Sequence, residues 1–250
     1  KGMNQTFLGT GRFFVKYSVY KHLIAKKSKS RLKNNRLSCY NIDKLLTPEP
    51  FNFCEMRLQK SERNVGNAIQ CFDQSGQVSL GCALPLLGAL NLAPTVLPTA
   101  LLSTHTGGFG ENTYLDLSKE MVSILQHWKT LSLKFSAIYL GYLGEKPLDV
   151  LQENLADVST AETMLLIDPV MGDHGKLYRG FDQEYVEKMR CLISKADIAT
   201  PNYTEAKLLL GEPLTTSPVA TDDAFETARK VQRRFNLRNI VLTGIDSGNG

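Results

Sequence analysis

The 250-residue sequence contains no C-x-x-C pair: its cysteines, Cys39, Cys54, Cys71, Cys82 and Cys191, are scattered, and none is spaced to pair with a histidine. That excludes a structural zinc motif and fits a reducing compartment. Neither G-x-x-x-x-G-K-[ST] nor G-x-G-x-x-G occurs, so the chain has no P-loop and no dinucleotide fingerprint. No internal repeat of fixed period is visible. The apolar part of the longest uncharged stretch, roughly Val78 to Thr104, is interrupted by Pro85, Pro94 and Pro98. A membrane-spanning helix needs about 20 consecutive apolar residues, and interior prolines break helical hydrogen bonding. The stretch therefore reads as a buried helix, a turn and a buried strand.

What the sequence does hold is unevenly spread. Hydrophobic residues make up 42% and charged residues 22%, a balance that places the chain among globular proteins with a substantial core. Residues 1–68 carry 14 Lys and Arg against 4 Asp and Glu, whereas the remaining 182 residues carry 15 against 21. The basic part, with KHLIAKKSKSRLKNNR at its centre, is open to three readings: a nucleic-acid-binding arm, a targeting segment, or a solvated extension. It carries no recognisable nucleic-acid-binding module, so nucleic acid is not the favoured partner. A start at Lys1 rather than methionine reads as a fragment. Residues 1–66 are accordingly set apart as a basic N-terminal segment, and 67–250 as the catalytic-type domain.

From Asn67 onward, apolar runs alternate with helical patterns. NAIQCF, PTVLPTALL, AIYLGYLG, TMLLIDPV, DIATPN and NIVLTG read as strands. Between them lie helices SLGCALPLLGALNL, LSKEMVSILQHWKTLSL with Ser118 as its N-cap, and PLDVLQENLADV opening on Pro147. DQEYVEKMRCLISKA, YTEAKLLLG closed by Gly211, and DDAFETARKVQRRFN complete the set. Strands that are apolar throughout and alternate with helices predict an α/β domain, a mostly parallel sheet with helices on both faces. Nearly every strand then runs into polar or glycine-rich chemistry: STHTGGFG, GYLG, DPVMGDHGKLY, TPNYTEA and TG. In a parallel sheet these loops share one rim, where ligands bind. Glycines let backbone N–H groups approach phosphate, and nearby carboxylates suit Mg²⁺. The combination predicts phosphoryl transfer.

Five segments, PTALLSTHTGGFG, HWKTLSLKFSAIYLGYLG, LLIDPVMGDHGKLY, ADIATPNYTEAKLLLG and IVLTG, resemble the pyridoxal/pyridoxine/pyridoxamine kinases of the ribokinase-like superfamily in order and spacing. The resemblance covers residues 67–250. It implies transfer of the γ-phosphate of ATP to the 5′-hydroxymethyl group of vitamin B6, with Mg²⁺, a monovalent cation (K⁺ or Na⁺), a cytoplasmic setting and a homodimer. A related group, the hydroxymethylpyrimidine kinases, shares D-P-V-M and T-P-N-x-x-E and stays open as the alternative. HTGGFG and the tyrosine of GYLG favour B6.

By motif, the resemblance assigns Asp168 and Asp173 to the metal and the β/γ-phosphates. Asn202 and Glu205 are assigned to metal-water and phosphate positioning, with Glu205 in the metal set. The competing readings are a turn residue for Asp173 and an ordinary helix start for Asn202 and Glu205. Thr200 is assigned to the phosphate or monovalent-cation region, Tyr178 to the nucleotide phosphates, and Thr243 with Gly244 to an ATP-contacting strand end. On the substrate side stand Asp73, Ser75, His105, Thr106, Gly107 and Tyr142, the last against the pyridine ring. His127 is assigned to helix packing, and His22 and His174 have no supporting partner. In the family's first loop, D-x-S-G-x-G-[RK], this chain has FDQSGQVSL and runs two residues short before Ser79. The family's G-[TAS]-G-D, which supplies the anion hole and the catalytic aspartate, would lie beyond Gly250. No catalytic base is therefore assigned within the chain, and the 250 residues alone are expected to turn over poorly. A non-catalytic B6- or nucleotide-binding protein is the reading from a different class.

Overall fold

In the computed structural model, residues 66–73 (backbone only), 80–89, 92–104 and 111–245 are described. The basic segment, Ser75, His105, Thr106 and Gly107 lie outside the described residues, as does the side chain of Asp73. A seven-stranded sheet organises the domain. Its strands are β1 (Gly66–Asp73), β2 (Thr95–Leu102), β3 (Tyr114–Asp116), β4 (Ala137–Leu140), β5 (Met164–Ile167), β8 (Ile198–Ala199) and β9 (Asn239–Ile240), ordered β3-β2-β1-β4-β5-β8-β9. All neighbouring pairs are parallel except β2 with β3.

The apolar strands are buried on both faces. In β4, Ile138 and Leu140 join the larger core, while Ala137 and Tyr139 join the smaller one on the opposite face. The smaller core is closed by α1 (Leu80–Ala89), which contributes Leu80, Ala83 and Leu87. The larger is built with α2 (Ser118–Thr130), α3 (Glu145–Val158), α4 (Gln183–Ile193), α5 (Tyr203–Leu210) and α6 (Thr221–Arg234). A fully buried Leu or Ile contributes roughly 2 kcal/mol, so Leu125, Leu148, Leu151 and Ile193, none more than 1% exposed, anchor three of these helices. The described residues of the Val78–Thr104 stretch include α1 and β2, the expected helix and strand, with α1 only partly buried, and no described helix is long and apolar enough to cross a membrane.

Three local features differ from the sequence expectations. Strand β3 is antiparallel, a three-residue return that gives no hydrophobic alternation, with Tyr114 and Leu115 exposed. Helix α2 begins at Ser118 rather than being capped by it: the Asp116 carboxylate accepts both the backbone N–H (2.9 Å) and the hydroxyl of Ser118. The third is DPVMGDHGKLY, which is no open loop. It folds into a hairpin of β6 (Gly172–Asp173) and β7 (Lys176–Leu177). His174 and Gly175 at its tip have φ of 48° and 71°, the paired positive values of a type I′ turn.

Candidate active site

The carboxyl ends of β5, β8 and β9 stand side by side. Asp168, the residue after β5, donates its backbone N–H to Leu140 O (2.8 Å), extending the ladder from β4. Its own carbonyl accepts from Val170 N (2.8 Å), a three-residue turn around Pro169 that ends the strand. Thr200, after β8, donates its N–H to Ile167 O (3.0 Å), which sets it beside Asp168. Farther along, Asn202 pairs with Thr243 in a parallel bridge, and Thr243 N donates to Pro201 O (2.9 Å). Gly244 follows with φ 67°. Asp168, Thr200, Asn202, Glu205 and Thr243 are all buried polar residues, an unusual concentration for one rim of a sheet.

Thr200 is 0% exposed, and its Oγ1 has no hydrogen-bond partner among the described residues. A buried, unsatisfied hydroxyl costs about 1–3 kcal/mol and calls for a reason. An ordered water, an ion or a ligand group is the ordinary partner of such a hydroxyl.

The T-P-N-Y-T-E segment starts a helix and braces the hairpin. Asn202 Oδ1 accepts from Glu205 N (2.9 Å) while Glu205 Oε2 accepts from Asn202 N (2.8 Å), a reciprocal capping box at the start of α5. The same groups reach the hairpin. Glu205 Oε1 accepts from Met171 N (3.3 Å), Asn202 Nδ2 donates to Gly172 O (2.7 Å), and Thr204 Oγ1 accepts from Gly175 N (2.9 Å). The helix-start reading of Asn202 and Glu205 is thus present in full, and it ties α5 to the hairpin. Each carboxylate oxygen has two lone pairs, so this bonding does not consume the acceptor capacity of Glu205.

Asp173 sits on β6, its Oδ1 accepting from His174 N (2.8 Å) and Oδ2 lying 3.8 Å from His174 Nε2. Tyr178 follows β7, is 39% exposed, and donates its N–H to Met171 O (3.0 Å). Among the described residues no three His, Cys, Asp or Glu side chains group as a metal-ligand set. The assigned carboxylates Asp168, Asp173 and Glu205 therefore do not form a three-carboxylate cage.

On the other side of β4 the sheet changes direction: β2 and β3 lie beyond β1, while β5, β8 and β9 lie beyond β4. Such a switch between β1 and β4 opens a crevice at the strand ends. Asp73 closes β1 there, and Tyr142 follows β4, its carbonyl facing the Thr99 hydroxyl (3.4 Å) and its ring packing against Ala100 and Leu102. Sequence reasoning missed two neighbours. Phe181 lies 5.8 Å from the Tyr142 ring and stacks on Tyr185 at 3.9 Å and 5°. Tyr185 donates its hydroxyl to Leu143 O (2.6 Å), fixing the GYLG loop from α4. Burial pushes the Tyr185 phenol well above its ordinary range, so it remains a donor at neutral pH. The only signal in the sequence was F-x-x-x-Y at helical spacing, with nothing to show that it faced Tyr142.

A mostly parallel sheet with one antiparallel edge, helices on both faces and a polar rim at its strand ends defines a ribokinase-like α/β fold. The phosphomethylpyrimidine kinase family matches residues 87–250, and the chain belongs to that family. A pyridoxal kinase from Lactobacillus plantarum superposes with a TM-score of 0.65 at 34% identity, over 74% of this chain and 65% of that one. A Bacteroides thetaiotaomicron protein, provisionally described as a phosphomethylpyrimidine kinase and solved with pyridoxal, gives 0.67 and 34% over 75% and 65%. The pyridoxine/pyridoxal/pyridoxamine kinase of Bordetella avium is 32% identical over 177 residues, 67% of this chain and 57% of the relative. The chain thus spans less than two thirds of the length of these proteins.

Proposed function

We propose that the protein serves ATP-dependent phosphorylation of a hydroxymethyl group on a B6 vitamer. The observation that carries this reading is the division of one sheet rim into two neighbouring halves. Asp168, Thr200, Asn202 and Thr243 occupy the ends of β5, β8 and β9, and Tyr142 stands at the β1/β4 crevice. In this reading Asp168 and Asp173 hold Mg²⁺ with its waters, and the ion shields phosphate charge. Thr200 Oγ1, buried and partnerless among the described residues, meets a phosphate oxygen or a monovalent cation. Glu205 and Asn202 orient water and hold the hairpin, Tyr178 covers the phosphates, and Thr243 with Gly244 borders the nucleotide. Tyr142 packs on the pyridine ring, and Asp73, Ser75, His105, Thr106 and Gly107 complete that pocket. Phosphoryl transfer asks the protein mainly for position and charge.

The family match itself favours a second reading, a hydroxymethylpyrimidine as acceptor. Equilibrium titration with pyridoxal and with the hydroxymethylated pyrimidine, each in the presence of Mg²⁺ and ADP, separates them. The B6 reading expects pyridoxal to bind at least about tenfold more tightly, about 1.4 kcal/mol. Tighter binding of the pyrimidine overturns it.

A further inference from the structure

We propose that Phe181 is a positioning residue for the aromatic substrate, holding Tyr142 from behind at the angle the pocket needs. This rests on the proposed B6 reading of the site. Three observations converge on Phe181. Its ring contacts both Tyr142 (5.8 Å, 35°) and Tyr185 (3.9 Å, 5°). Tyr185 is itself fixed: 2% exposed, its hydroxyl bonded to Leu143 O at 2.6 Å and its N–H bonded to the Asp182 carboxylate at 3.0 Å. Tyr142 also packs against Ala100 and Leu102 of β2, so Phe181 and β2 together support it.

The backbone places Phe181 by more than helix capping. Residues Tyr178 to Phe181 form a tight turn, with Phe181 N donating to Tyr178 O (3.2 Å) and Gly180 at φ 89°. Tyr178 N in turn donates to Met171 O, so this turn leads directly out of the hairpin. A hydrophobic residue just before an N-cap ordinarily staples its own helix. Here the same ring also reaches across the chain to Tyr142. The segment that carries the hairpin's acidic residue therefore also sets the wall of the neighbouring pocket.

Offset or tilted aromatic pairs depend on ring geometry, and a Tyr142 ring free to rotate presents a poorer surface to a flat heteroaromatic. The test is equilibrium titration of pyridoxal and, separately, of ADP with Mg²⁺, on the wild-type chain, Phe181→Ala, Phe181→Leu and Phe181→Tyr. Leu keeps apolar bulk without a ring, which guards against a variant that simply fails to fold. The expected result is pyridoxal binding weakened about five- to tenfold in Phe181→Ala and Phe181→Leu and restored in Phe181→Tyr, with ADP affinity unchanged in all three. Unchanged pyridoxal affinity in Phe181→Leu overturns the proposal. So does an equal loss of pyridoxal and ADP binding, which is the signature of general destabilisation. If the wild-type chain takes the hydroxymethylpyrimidine instead, the B6 reading falls, and the same ratio measured with that ring decides the role of Phe181. A wild-type chain that binds neither ring overturns both.

Discussion

Glu205→Gln is expected to destabilise the protein by roughly 3 kcal/mol and to weaken nucleotide binding with it. The carboxylate is 2% exposed and accepts from two backbone N–H groups, Asn202 at 2.8 Å through Oε2 and Met171 at 3.3 Å through Oε1. Glutamine has the same shape but only one acceptor atom. Its NH₂ group must face one of those N–H groups, so a charge-assisted bond is replaced by two opposed donors. A hydrogen bond to a charged group is worth about 1.5–3 kcal/mol, and a broken cap adds about 1 kcal/mol. Against a typical stability of about 5–15 kcal/mol, that is a large share. Urea unfolding shows it as a lower midpoint at constant slope. A loss under about 1 kcal/mol would mean that the capping box contributes little more than an exposed ion pair.

Gly172→Ala is expected to cost about 100-fold in nucleotide affinity or catalytic efficiency. A Cβ at this position would run into the Lys176 carbonyl oxygen and lie 3.2 Å from Lys176 C and 3.3 Å from Leu177 Cα. All three obstacles are backbone atoms of β7, so no side chain can swing aside. The hairpin must open or shift, and it takes with it Asp173 and the Gly172 carbonyl that accepts from Asn202 Nδ2. A shift near 1 Å in a positioned group is enough for about a hundredfold loss. Gly88→Ala is the control. It lies exposed in α1 with nothing within 4 Å of the new Cβ, and it is expected to be neutral or stabilising by up to about 1 kcal/mol. Wild-type ADP affinity in Gly172→Ala would show that the hairpin is not part of the nucleotide site.

Both predictions fall on a segment whose chemistry was legible in the sequence while its shape was not. D-P-V-M-G-D and T-P-N-x-x-E gave the residue types and their common rim, because apolar strands buried on both faces leave an unmistakable pattern. The hairpin was hidden because its strands are two residues long and its turn is His-Gly rather than Asn-Gly. Strand β3 was hidden for the same reason of length. Ser118 looked like a cap because its residue type suits one, yet Asp116, two residues earlier, provides the acceptor. The aromatic support of Tyr142 and its loop depends on contacts across 39 and 42 residues of chain, a distance at which local pattern carries no information. Asn202 and Glu205 were read as either helix start or phosphate site. Their bonding shows the first, and further bonds tie that helix start to the hairpin.

The proposed function turns on one event, the seating of a Mg²⁺–nucleotide complex on the rim around Asp168 and the hairpin. It is tested most directly by titrating a non-hydrolysable ATP analogue with and without Mg²⁺, on the wild-type chain and on Asp168→Asn. Mg²⁺ is expected to tighten binding to the wild type by at least about tenfold, about 1.4 kcal/mol, and Asp168→Asn to lose this gain while keeping its fold. Binding that is indifferent to Mg²⁺, or a gain that survives in Asp168→Asn, would contradict it.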